Sequence, residues 1–154
     1  MKGLSMQIML YLDAQIDDID YEPSGTDGNI FDNVLPSSPD LAVMVENTGG
    51  FPRDMRNTKY YSPTIRILVR GGRDPRPARE LAQKIIDTIG VFGNDRFTEE
   101  YNFLQGSTYT SLMEGLWIVK CQAIQPTPIN IGRDNQGRHR FSCNFELEVM
   151  EVGD

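Results

Sequence analysis

The run Leu116-Trp117-Ile118-Val119-Lys120-Cys121-Gln122-Ala123-Ile124 decides the fold, read together with the chain's last thirty residues. Those comprise Gln125-Pro126-Thr127-Pro128-Ile129-Asn130-Ile131-Gly132-Arg133, a turn at Asp134-Asn135-Gln136-Gly137, and Arg138 to Met150 before a short end. In the segment after the turn Phe141, Cys143, Phe145, Leu147 and Val149 alternate with Arg140, Ser142, Asn144, Glu146 and Glu148. Strict period-two alternation predicts a strand with one face in the core and one that is wet or at an interface. A simple register about the turn pairs Arg133 with Arg138, and carried inward it sets Leu147 opposite Ile124 and Val149 opposite Gln122. The more apolar face of the first strand, however, is Trp117, Val119, Cys121 and Ala123, which has the opposite parity. A one-residue offset reconciles them, because it turns every side chain to the other face. Pro126 and Pro128 cannot donate to a ladder, so the break is expected near 125–128. Residues 115–125 and 141–150 then read as core, and 126–140 as a hairpin arm with a hinged tip.

Working back along the chain, Asp74-Pro75 opens a helix, with Asp74 as N-cap acceptor and Pro75 at the first helical position. Ala78, Leu81, Ala82, Ile85, Ile86, Ile89 and Phe92 form its apolar stripe, Glu80 and Lys84 pair on its outer face, and Gly90 or Gly93 ends it. Before it, Leu41–Asn47 and Tyr61–Arg70 alternate as two strands that should pair, the first ended by Asn47-Thr48-Gly49-Gly50. Their connection, Gly49 to Tyr60, far exceeds the few residues a hairpin needs, so a protruding basic and aromatic loop is expected at 49–60. Residues 4–16 carry Leu4, Ile8, Tyr11, Leu12 and Gln15 at helical spacing and predict a mostly buried helix. Residues 17–40 read as an acidic loop with a short extended piece near Ile30–Leu35. Tyr101–Gln105 and Thr108–Leu112 read as two short strands. The expected fold class is α+β: a mixed, mostly antiparallel sheet with two main helices packed on it and a long C-terminal β-hairpin, in one domain over 1–154.

The net charge of −7 is unevenly spread. Residues 1–48 hold one lysine against nine acids, 49–110 hold ten bases against seven acids, and 111–154 hold four against six. So acidic a chain is a poor candidate for general nucleic-acid binding, which needs clustered Lys and Arg. The asymmetry suits copies or partners that meet through opposite charges. The longest apolar stretch, near Met6–Leu12, is too short to span a bilayer, and no cleaved leader is expected. Cys121 and Cys143 match neither a metal knuckle nor a disulfide framework, and read as free buried thiols.

No constellation predicts catalysis, a metal or a cofactor. His139 is the single histidine and sits between two arginines beside a turn, with neither nucleophile nor orienting acid nearby in the pattern. Asp18-Ile19-Asp20-Tyr21-Glu22 starts like a calcium loop but lacks its glycine and closing glutamate. Gly71-Gly72-Arg73 lacks the lysine and hydroxyl of a phosphate cradle, and Glu99-Glu100 reads as a solvated face. The chain is not expected to be an enzyme.

From Gln125 to Val149 the sequence resembles the minor capsid or tail-completion (tail terminator) proteins of long-tailed bacteriophages, through Pro128-x-x-Ile131-Gly132-Arg133-Asp134-x-x-Gly137-Arg138. The order of elements is similar too: an N-terminal helix, a strand pair ending in Arg70-Gly71-Gly72, a helix opening at Asp74-Pro75, and a closing strand pair. The resemblance covers 40–154 and leaves out the acidic 17–40 segment. It implies a virion protein, assembled in the host cytoplasm, whose subunits form a homo-oligomeric ring, six-fold in the tail terminators. Such a ring caps the tail tube at its final length and presents a surface for the head connector or stopper. The implied partners are other copies, the tail tube protein and the head connector, with no membrane and at most passive contact with DNA in the lumen. On this reading Phe51, Arg53, Arg56 and Lys59 of the 49–60 loop, and Ile131, Arg133, Asn135 and Arg138 of the tip, are the interface candidates. A head-side connector or stopper, and a cytosolic binding module unrelated to virions, are the competing readings.

Overall fold

The computed structural model describes residues 4–22, 28–53, 55–56, 59–92 and 116–151. In chain order the elements are α1 (Leu4–Gln15), β1 (Ile30–Asp32), β2 (Ala42–Gly50), β3 (Tyr60–Tyr61), β4 (Pro63–Arg70), α2 (Arg76–Ile89), β5 (Val91–Phe92), β6 (Leu116–Ala123), β7 (Ile129–Arg133) and β8 (His139–Glu151). The expected strands at 101–105 and 108–112 lie outside the described residues. The strands form one sheet in the order β1-β2-β4-β8-β6-β5, with β3 and β7 each pairing β8 off that path. Among the described strands only β1 and β2 run parallel; every other pairing is antiparallel. This is the α+β architecture the alternation and the two helical stretches predict.

One face of the sheet meets both helices. Val43, Val45, Ile65, Ile67, Val69, Phe141, Cys143 and Phe145 share a core cluster with Ile8, Leu12, Ala78, Leu81, Ala82, Ile85 and Ile89. β8 shows why it is the central strand: its five alternating apolar residues are all at most 3% exposed, with β4 on one side and β6 on the other. α2 buries the stripe its spacing predicts from Ala78 to Ile89, but Phe92 lies past the helix end, in β5. α1 is covered nearly all round, and burial there extends to Ser5 and to Gln7, which is fully enclosed.

Four local expectations are corrected. The β2 strand does not stop at Asn47 but runs on to Gly50, through an irregularity between Asn47 and Gly49 that absorbs the glycines' positive φ. Pro75, not Asp74, is the N-cap of α2; the Asp74 carboxylate still accepts the Arg76 N–H at 3.1 Å and clasps its guanidinium. Lys84 reaches Asp18 at 2.8 Å instead of pairing with Glu80, so α2 is tied to the start of the acidic segment. Finally, the offset within the terminal hairpin is larger than one residue. Asn130 faces Phe141, whereas Ala123 faces Phe145, so the ladder slips by three residues across 124–128. Three is odd, like one, so Cys121 faces the core as expected, but a second irregularity between Ile118 and Lys120 turns the face again and buries Ile118 rather than Val119.

A pinned tip and a loop at opposite ends of the sheet

The turn at 134–137 is built by one carboxylate. Asp134 Oδ1 accepts the N–H groups of Gln136 and Arg138, both at 2.9 Å, and Asp134 Oδ2 takes Arg138 Nε at 2.7 Å. Gly137 adopts φ 77°, which a side chain would strain. Burial alone would raise the Asp134 carboxyl, but the hydrogen bonds from Arg138 and Gln136 outweigh it and hold it below its ordinary range.

The tip is not hinged freely. Arg138 is only 8% exposed and reaches away from solvent to the Ser37 carbonyl at 2.6 Å and Asp40 at 3.4 Å. Beside it Arg70 is buried too, donating to the carbonyls of Pro39 and Asp40. Burial, and then the neighbouring Arg138 charge, lower the Arg70 pKa. The backbone adds two more ties: Gly71 N–H to the His139 carbonyl at 2.9 Å, and His139 N–H to the Gly72 carbonyl at 3.1 Å. Gly71 also lets α2 pack closely here, since a Cβ there would lie 2.7 Å from the Ala78 Cβ.

The sequence-derived candidates therefore separate. Ile131, Arg133 and Asn135 are exposed on the arm, while Arg138 is spent inside the subunit as an anchor. Phe51 (60% exposed), Arg53, Arg56 and Lys59 lie on the other loop, which Phe51 N–H closes on the Ser62 carbonyl at 3.0 Å. Arg53 sits 4.0 Å above the Tyr61 ring, a cation–π contact that holds the guanidinium at the loop's base. The structure does not bring the two groups together. Gly50 pairs with Pro63 at the loop end of the β2–β4 hairpin, whereas Ala42 pairs with Arg70, and Arg70 with Arg140, at the tip end. The eight residues of β4 separate them by roughly 25 Å at the usual rise per residue.

Sequence reasoning missed some of the exposed surface. Met55 is 95% exposed on the loop, and Ile124 (53%) and Ile129 (39%) extend the apolar line of the arm. The signal for the last two was present, as isoleucines on either side of a double proline break. It also missed Tyr60, whose hydroxyl donates to Glu148 at 2.6 Å; burial first, and this carboxylate second, push its pKa up to about 12.

Among the described residues no group of three His, Cys, Asp or Glu side chains could hold a metal ion, and no helix is long and apolar enough to cross a membrane. A cavity of about 510 Å³ beside the end of α2 is lined by Ile86, Gly90, Cys121, Ala123 and Ile124, with Asp87 and Lys120 at its polar margin. Both cysteines are free and buried. Burial pushes the Cys143 thiol up to about 12 and the Cys121 thiol further, so neither is poised as a nucleophile.

A sheet-and-helix body thus exposes a basic loop at one end of its strands and an arm at the other. The family model described as "Bacteriophage tail terminator protein" matches residues 14–150, and the chain belongs to that family. It is therefore a phage tail structural protein, a component of the virion. The match begins at residue 14, so the acidic 17–40 segment, which the resemblance left out, lies within the matched span. No curated protein matches the chain.

Proposed function

We propose that copies of this chain form a ring, six-fold as in the tail terminators it resembles, that caps the tail tube and offers its other side to the head connector. The observation that carries this reading is the separation of the exposed Phe51, Arg53, Arg56 and Lys59 from the exposed arm, at opposite ends of the same strands. A cap needs two different faces, one for the tube and one for the head, and a rigid sheet between them keeps them apart. Lateral contact between copies is then heterologous, which closes rings when the rotation allows.

Light scattering combined with two-dimensional class averages tests the ring. Virions lacking the protein test its place: overlong tubes or unjoined tails are expected, while heads that leak DNA would move the assignment to a head-side stopper. Arg53→Glu with Arg56→Glu, and separately Arg133→Glu, should each impair assembly. Intact assembly and infectivity in both would overturn the assignment of these two surfaces.

A further inference from the structure

We infer that the arm strand β7 of one copy adds to the open β1 edge of the next, so that the sheet continues from subunit to subunit around the ring. This deepens the ring proposal and rests on it.

The two edges are complementary in three respects. First, among the described residues both are open. All five β7 residues are exposed, and among the described residues β7 pairs with β8 alone. At β1, Val43 N–H bonds the Asn29 carbonyl and Asn33 N–H bonds the Val45 carbonyl, so the odd-numbered residues face β2. The backbone groups of Ile30 and Asp32 are therefore directed away from it. An exposed edge is a template for another strand. Ile129–Arg133 presents Ile129 and Ile131 at 39% and 37% exposure. Second, the lengths agree. Regular pairing in β7 covers Ile129 and Asn130 before the shift that ends at Arg133, and β1 is three residues long, so both edges are short.

Third, the charges agree. Arg133 is exposed on the arm. The approach to β1 is acidic: Asp17, Asp20 and Asp32 are exposed, and hydrogen bonds from Asn29 to the Asp18 and Asp20 carbonyls hold this segment against the start of the strand. β1 and β7 also lie on opposite edges of the sheet, β7 occupying the same side of β8 as β6. Pairing them joins copies head to tail, the arrangement a ring requires, and a second copy is the occupant that carries both halves.

Because Cys121 and Cys143 are buried, engineered thiols report selectively. Val34→Cys, just past β1, and Ile131→Cys are expressed singly, together in one chain, and as a co-expressed pair, then treated with a short bis-maleimide. The expected result is no cross-linking within either single variant, a cross-linked dimer in the co-expressed pair, and a ladder up to ring size in the double variant. Multimers by light scattering without the paired cross-link would overturn strand addition and leave the ring standing. Ile131→Cys cross-linked to itself would likewise overturn it, because that contact is isologous. A single-subunit mass at every concentration would overturn both proposals. In parallel, Arg133→Glu should weaken association about tenfold or more, and Asp17→Lys with Asp20→Lys should restore it; failure of that rescue would refute the charge pairing.

Discussion

Arg138 illustrates how much one side chain organises. It joins the 134–137 turn to the Ser37–Asp40 segment, two stretches about a hundred residues apart in the chain. Arg138→Ala should cost on the order of 2 kcal/mol in urea unfolding, the range for charge-assisted hydrogen bonds whose remaining partners can regain water. The carboxylate side of the pair sets a pH dependence. Because the folded pKa of Asp134 is depressed, its contribution is present above the ordinary carboxylate range near pH 4 and is lost as pH falls through the folded value. Asp134→Asn should therefore flatten the acid limb of the stability profile, measured as urea midpoint against pH. The thiols give an independent check of the core. Cys143 donates to the Ala82 carbonyl at 3.7 Å and both sulfurs are enclosed. Native protein at pH 8 should leave a thiol reagent unreacted, and denatured protein should titrate two groups. Arg138 also marks a limit of sequence reading. An arginine beside a turn looks solvent-facing, and nothing local reveals that its acceptors lie in another segment.

At the scale of elements, α2 and β8 were legible because burial repeats along them with a clean period. Ile85, at 0% exposure in the middle of the α2 stripe, should cost about 2–5 kcal/mol as Ile85→Ala, read by denaturant unfolding. The β2–β4 end is sensitive for a different reason. Gly50 has φ 123° and lies so close to Ser62 and Pro63 that a Cβ would collide with backbone, so Gly50→Ala should lower stability by more than about 1 kcal/mol in the same assay. α1 was less legible: covering from several sides removes the amphipathic signature, and both amide atoms of enclosed Gln7 lack a hydrogen-bond partner among the described residues. The parity conflict in the terminal hairpin located the break at the two prolines. It did not give the slip of three, because any odd number of looped-out residues has the same effect on facing.

For the whole molecule, the charge gradient along the chain becomes a spatial one. Most of the acidic first third surrounds α1 and β1, while Arg53 and Arg56 lie at one end of the strands and Arg133 at the other. Association between copies should therefore weaken as salt rises from about 0.05 to 0.5 M, where screening shortens from more than 10 Å to a few ångströms; sedimentation or light scattering across that range reads it directly. The candidate surfaces were legible as long loops with basic and aromatic residues, but their disposition was not, since only the register of β4 reveals that they lie at opposite ends. The terminal hairpin also separates aim from support. β8 is continuous, yet the strand beside it is split into two independently anchored ladders, one held by the core and one by the Asp134 turn. Residues 124–128 between them act as slack. Adding or removing a single residue in the turn would rotate Ile129 and Ile131 to the opposite face, and the slack would take up the difference before it reached Ala123. The aim of the arm is thus set by its turn together with the Arg138 anchor on Ser37 and Asp40, so a tip that keeps this arginine could be exchanged between related subunits without repacking the body that carries it.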